Sequence, residues 1–307
     1  MIDVYRNNFY REILQKRYEI LQVLGNKPRR KTLLAYDIKI KKLVVIKLLT
    51  LNDEFIDKDL RLFESEVKIL KELKHPGIPH YIDRFEFSDD DEKGYALVQS
   101  YIPGRSLAEY LQWKRKFTEK EIKIIAKSLL EILIYLHKQL PPIIHRDIKP
   151  SNIILADRPY LIDFGCAQTL QTRYDDMVPI VGTCGYMSPE QLNGAATTAS
   201  DLYSLGATLI TLSTGIQPTK LPRQKMRIEF EHFVKLSSGL VRWLQWMTET
   251  NLKRRTPSAD LALEALKTGK IANNKLFMVN LYNQKNRYNQ KTSLTSFCDA
   301  MWNNIFY

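Results

Sequence analysis

Apolar residues come in short blocks through the first third of the chain. Tyr18 to Leu24 and Leu43 to Leu49 are rich in Val, Ile and Leu and have the length of strands, and Thr32 to Tyr36 fits a third strand between them. Leu60, Phe63, Val67, Leu70 and Leu73 then recur at helical spacing with charges on the other face. That stripe predicts an amphipathic helix. His75-Pro76-Gly77 ends it, since proline and glycine both stop a helix. Tyr81 to Phe87 and Tyr95 to Tyr101 read as two more strands, joined by the acidic turn Asp89 to Gly94.

After Pro103-Gly104 the period changes. Ser106 to Trp113 is a short helix, and Thr118 to His137 a long one in which Thr118 and Glu121 have the spacing of a capping box. Asp201 to Ser213, Gly239 to Glu249 and Ser258 to Leu266 follow as helices. The pattern therefore predicts a strand-rich first part with one main helix, a helix-rich second part, and a boundary near Ser100 to Pro103. No internal repeat is present.

Composition narrows this picture. A chain of 307 residues is long enough for one large domain or two lobes. The net charge of +12 is spread along the chain, with no block of five or six like charges, so it reads as a solvated basic surface and not as a nucleic-acid site. Cys166, Cys184 and Cys298 are odd in number and widely spaced, against a disulfide framework or a zinc site. The most apolar stretch, Ile122 to Leu136, carries Lys123, Lys127 and Glu131, so no membrane span is expected. The N-terminus lacks the apolar core of a signal peptide. These features predict a soluble cytoplasmic protein.

The chemistry concentrates in three stretches. The first is His145-Arg146-Asp147-Ile148-Lys149-Pro150-Ser151-Asn152. Asp163-Phe164-Gly165 begins sixteen residues after Asp147, and Ser188-Pro189-Glu190 follows. Upstream, Lys47 ends the apolar run Val44-Val45-Ile46-Lys47, where it is expensive to bury without a partner. Phosphoryl transfer needs this kind of set: a carboxylate beside the attacking hydroxyl, oxygen ligands for Mg²⁺, and cations on the phosphates.

In this order the stretches resemble the Hanks-type Ser/Thr protein kinase catalytic domain, in its bacterial branch. The resemblance implies an α+β bilobal fold: an extension over 1–17, a kinase domain over 18–268 divided near 101–102, and a basic, aromatic tail over 269–307. It also implies roles. Asp147 is the catalytic base, Lys149 neutralises the transferring phosphate, and Asn152 and Asp163 hold the metal. Lys47 pairs with Glu66 and the phosphates. Thr183 hydrogen-bonds Asp147 and Lys149, Glu190 pairs with Arg255, and Asp201 starts the central helix and braces the catalytic loop. His145 is a structural histidine packed with Phe164, Leu70 and Tyr81. Adenine lies between Val45 and Ile154, near Leu24, with Gln99 at the gatekeeper position and backbone at Tyr101 reading its edge. The implied cofactors are ATP and Mg²⁺, or Mn²⁺ in its place, and the implied partners are proteins offering Ser or Thr.

The glycine-rich loop departs from the family's pattern. Gly25 stands, but Lys27 and Arg30 replace the second and third glycines and Thr32 the valine. Two outcomes follow: Lys27, Arg29 and Arg30 grip the phosphates through side chains, or nucleotide binds weakly and the chain is a pseudokinase scaffold. Arg146 would meet a phosphorylated threonine in many relatives; here Asp175 and Asp176 stand where that residue falls, with Thr169 and Thr172 as the alternative. The tail, ending in Phe297, Met301, Trp302, Ile305, Phe306 and Tyr307, is a candidate for docking on the helical lobe or on a partner.

Overall fold

A computed structural model describes residues 13–51, 56–88, 93–169 and 181–271. The expectations for Asp175, Asp176, Thr172 and the apolar end of the tail lie outside the described residues.

The first part is one curled antiparallel sheet. Its strands are β1 (Ile13–Leu14), β2 (Tyr18–Lys27), β3 (Arg30–Asp37) and β4 (Lys42–Leu51), followed after helix α1 (Ile56–Glu72) by β5 (Tyr81–Ser88) and β6 (Lys93–Ser100). The order across the sheet is β1-β2-β3-β4-β6-β5. Period-two alternation sends Leu33, Ala35, Val44, Ile46, Ala96 and Val98 to one buried face with Tyr18. Thr32 and Lys47 are partners in the ladder, as are Val45 and Gln99, on the alternate positions. Residues 13–17 run beside the sheet: Ile13–Leu14 pairs with β2, and Arg17 bridges Asp37 at 2.7 Å and Asp83 at 2.7 Å.

The hairpin between β2 and β3, where two of the family's glycines are replaced, is paired to its tip. The ladder continues through Gly25↔Thr32, Asn26↔Lys31 and Lys27↔Arg30, leaving only Pro28 and Arg29 in the turn. Proline supplies the first turn position, and Arg29 takes the left-handed conformation at φ 61°.

The second part is helical. The short strand β7 (Arg105–Ser106) leads into α2 (Leu107–Gln112) and α3 (Glu119–His137), each opened by a capping box, at Ser106/Glu109 and Thr118/Glu121. Short strands β8 (Ile143–Ile144), β9 (Ile153–Leu155), β10 (Pro159–Leu161) and β11 (Gln168–Thr169) carry the loops between them. Then come α4 (Pro189–Leu192), α5 (Thr198–Thr214), the hairpin β12 (Arg223–Gln224) and β13 (Arg227–Ile228), α6 (Ser238–Met247) and α7 (Ala259–Thr268).

Helix α5 is the axis of this part, buried all round from Ala199 to Leu212. Its polar residues tolerate burial because each hydroxyl finds a carbonyl: Ser204, Thr208 and Thr211 bond back one turn at 3.1, 2.8 and 2.9 Å. Gly206 lets α6 approach; a Cβ there would lie 2.7 Å from Thr248. The helix begins before Asp201, capped by Thr197 and Ser200, so the expectation that Asp201 starts it is corrected: the carboxylate sits inside the first turn. Among the described residues no helix is long and apolar enough to cross a membrane.

Candidate active site

Lys47 stands on β4 and Glu66 on α1. Lys47 Nζ donates to Glu66 Oε1 at 2.5 Å and to Asp163 Oδ1 at 2.6 Å. Burial alone would lower the lysine's pKa, but the charges of Asp163 and Glu66 reverse this and hold it above its usual value. The Lys47 charge likewise draws Asp163 well below the usual carboxylate range, against burial. Glu66 is pushed up, because burial and the neighbouring Asp163 outweigh the pull of Lys47. Gly165 keeps this corner open: a Cβ there would press on Glu66 Oε2 at 3.2 Å.

Asp147 occupies the loop between β8 and β9. Its Oδ1 accepts from Thr183 at 2.7 Å. Its Oδ2 accepts from Lys149 at 2.7 Å and from Asn152 at 3.0 Å. Lys149 also donates to Thr183 Oγ1 at 2.6 Å, so the three side chains close a triangle. Asn152 donates its amide to Asp147 O as well, at 2.9 Å, which leaves its carbonyl oxygen as the atom for a metal.

Two non-glycine residues here adopt left-handed backbone, Arg146 and Asp163, each at φ 66°. Such conformations persist only where surroundings over-determine them. Asp201 does this for Arg146: its carboxylate accepts the Arg146 and His145 N–H groups, both at 2.9 Å. His137 adds a contact to Asp201 at 3.0 Å. His145 packs edge-on against Phe164, with ring centroids 4.9 Å apart. Burial lowers its pKa, so the ring is neutral; Nδ1 accepts from Asp147 N and Nε2 then donates to Ile162 O.

Gln191 was not singled out by sequence as a site residue; its only signal is its place directly after Ser188-Pro189-Glu190. It is buried, and its amide donates to Arg146 O at 2.7 Å and Val181 O at 2.9 Å, stitching the Asp147 loop to the segment before Thr183. Gln191→Glu would set a carboxylate against two carbonyls. Leaving buried groups unpaired costs about 1–3 kcal/mol each, so this variant is expected to melt several degrees lower. A variant melting like the parent would show the stitch is dispensable.

Glu190 and Arg255, 65 residues apart, form a bidentate pair at 2.7 and 2.9 Å. The residues expected around the nucleotide fall on five strands. Leu24 (β2) is exposed; Thr32 (β3) and Val45 (β4) are half-buried, as is Ile154 (β9). Gln99 is buried beside Val45 at the end of β6, and Tyr101 follows it. Gly25 pairs with Thr32 at the sheet's edge, where a Cβ would meet nothing closer than 3.7 Å. Lys27 is exposed, whereas Arg29 and Arg30 both lie on Asp59 of α1, at 2.8 and 3.0 Å.

Asp163 has a side chain 44% exposed, so part of its carboxylate is open to a ligand while Oδ1 holds Lys47. One carboxylate, one amide oxygen and a substrate's phosphates suit Mg²⁺, which keeps several waters and needs no all-protein cage. Among the described residues no group of three His, Cys, Asp or Glu is gathered for a metal. The residues present fit Mg²⁺ with a nucleoside triphosphate.

A lysine bridging two carboxylates, a hydrogen-bonded aspartate on a strained loop and a curled sheet over a helical lobe define a phosphotransfer domain of the bilobal kind. Residues 18–302 match the sequence model of the protein kinase domain, and the chain belongs to that family, in its Hanks-type Ser/Thr branch. It is 37% identical over 273 residues to Serine/threonine-protein kinase D of Synechocystis sp., covering 81% of this chain and 52% of that protein. It is 32% identical to Serine/threonine-protein kinase PknA of Nostoc sp. (85% and 49%) and 31% to Serine/threonine-protein kinase PrkC of Bacillus subtilis (74% and 35%). The chain spans about half the length, or less, of these curated relatives.

Proposed function

We propose that residues 18–268 transfer the γ-phosphoryl group of ATP to serine or threonine hydroxyls of proteins. The observation that carries this reading is Lys47 held between Glu66 and Asp163 at 2.5 and 2.6 Å, together with an Asp147 whose two carboxylate oxygens both accept hydrogen bonds. Lys47 offers its charge to the nucleotide's phosphates, and Glu66 fixes its position. Asn152 and Asp163 hold Mg²⁺, which when bound neutralises phosphate charge. Asp147 orients the substrate hydroxyl and accepts its proton. Lys149, already near both Asp147 and Thr183, sets a cation where charge builds on the transferring group. Val45, Ile154 and Leu24 supply apolar surface for adenine, with Gln99 limiting the depth of the pocket and the backbone at Tyr101 reading the base. The proposal places the protein in the cytoplasm, where ATP and its protein substrates are.

The test is transfer of ³²P from ATP by purified protein, with and without Mg²⁺ or Mn²⁺, to itself and to a generic protein substrate. Metal-dependent phosphoserine or phosphothreonine is the expected product. Absence of both transfer and nucleotide binding would replace this reading with a scaffold.

A further inference from the structure

Asp59 and Glu66 are seven residues apart on α1, two helical turns, and so share one face. Both carboxylates meet cations of the sheet. Glu66 takes Lys47 of β4, and Asp59 takes Arg29 at 2.8 Å on one oxygen and Arg30 at 3.0 Å on the other. The strand register explains why the two contacts line up. Thr32 lies opposite Lys47 and Arg30 opposite Leu49, so Arg30 precedes Thr32 by two residues on the same side of β3. The charge of Arg30 reaches far enough along α1 to act on Glu66.

The tip of the hairpin is also tied by its backbone, Thr50 N donating to Arg29 O at 2.9 Å. Pro28 stiffens the turn that the family builds from glycines. The half-exposed guanidinium groups hold Asp59 in a two-to-one network, which survives solvent screening better than an isolated surface pair.

We propose that Asp59 is a positioning residue for phosphoryl transfer: it locks the arginine-bearing hairpin to the helix that carries Glu66, so that the two move as one body. The inference rests on the kinase reading for its consequence, since a pre-ordered hairpin saves the ordering cost of nucleotide binding. The lock itself is a property of the free protein. It also redefines the two arginines. They act on the nucleotide through Asp59 and α1, not as independent phosphate ligands.

The experiment combines titration with a fluorescent ATP analogue, steady-state phosphotransfer, and amide hydrogen exchange on nucleotide-free protein. Asp59→Asn is expected to weaken the analogue about fivefold, with KM for ATP rising more than kcat falls. It should also speed exchange both in the hairpin and around Glu66. Asp59→Glu should restore most of each. Arg29→Gln with Arg30→Gln should match Asp59→Asn, and all three changes together should be no worse than either set, because they break one interaction. Losses that multiply would show the arginines contacting phosphate independently and would overturn the lock. So would unchanged or tighter nucleotide binding in Asp59→Asn, or exchange that speeds in the hairpin alone. A parent protein that transfers no phosphate while Asp59→Asn still speeds exchange in both elements would retain the lock and remove the kinase reading.

Discussion

Asp147→Asn protein is expected to lose between about a hundredfold and ten-thousandfold in kcat, the range that a positioned general base contributes. The replacement keeps the size of the side chain and removes its charge. It also puts an amide donor where one oxygen now accepts. Oδ1 serves Thr183 and Oδ2 serves Lys149 and Asn152, so an amide nitrogen at the second position faces two donors and one at the first takes away the acceptor of the Thr183 hydroxyl. Nucleotide binding should be spared, because Lys47, Glu66 and Asp163 are linked to one another and not to Asp147. Single-turnover ³²P transfer beside titration with a fluorescent nucleotide separates the two effects. Transfer at the parental rate would remove Asp147 from the chemistry.

Arg255→Met is expected to cost about 3–5 kcal/mol of stability, as removal of one partner from a buried pair does. Arg255 is fully buried. Its guanidinium grips both oxygens of Glu190, donates to Glu249 O at 2.6 Å and to Ala199 O at 3.0 Å, and lies 5.1 Å from the Tyr203 ring centre. Methionine fills much of the space but leaves the buried Glu190 carboxylate without its cation and three carbonyls, of Glu249, Ala199 and Thr250, without this donor. Against a typical total of about 5–15 kcal/mol this is a large fraction, and the melting temperature should fall by roughly 10 °C. Replacing Glu190 by leucine in the same protein should recover part of the loss, since the stranded charge is then gone.

The pH dependence has a definite sign. Burial would raise the Glu190 carboxyl, but the hydrogen bonds and charge of Arg255, aided by Ser188 and Ser200, bring it below its usual 4.5. A depressed carboxylate contributes stability that is present above the unfolded value and is lost as pH falls through the folded one. The gap between parent and Arg255→Met should therefore be widest near neutrality and narrow below about pH 4.5. Melting curves across that range measure it.

Much of this architecture was legible in the chain, and the reasons are local. Strands β2 to β6 are long enough to show their apolar character, and α1 carries its stripe at Phe63, Val67 and Leu70. The helix starts at Thr118 and Ser258 are written in capping residues that act within a single turn. The two-residue strands β1, β7, β8, β11, β12 and β13 were not visible, since two residues display no period. The start of α5 was placed late because Thr197 to Ser200 carries no apolar stripe; its burial comes from neighbours distant in sequence. Resemblance to a family supplied the pairs Lys47–Glu66 and Glu190–Arg255, which no spacing rule could supply.

The chain by itself determined which residues of the Asp147 loop meet, because Asp147, Lys149 and Asn152 lie within six residues; Asp201 and Thr183, from outside the loop, hold it in shape. It also determined which residue types are present for each charge. Only the tertiary structure decided who meets whom. Lys47 reaches Asp163 across 116 positions, Gln191 reaches Arg146 across 45, and the arginines of the hairpin face Asp59. Side-chain charge has no preferred partner along the chain; direction and distance come from how the sheet packs on α1 and how α5 fixes the loops above it. The replaced glycines left two outcomes open in the sequence, arginines gripping phosphate or a loop that binds it weakly. Packing against α1 made it a tied hairpin instead, because a carboxylate one helix away satisfies two guanidinium groups at once.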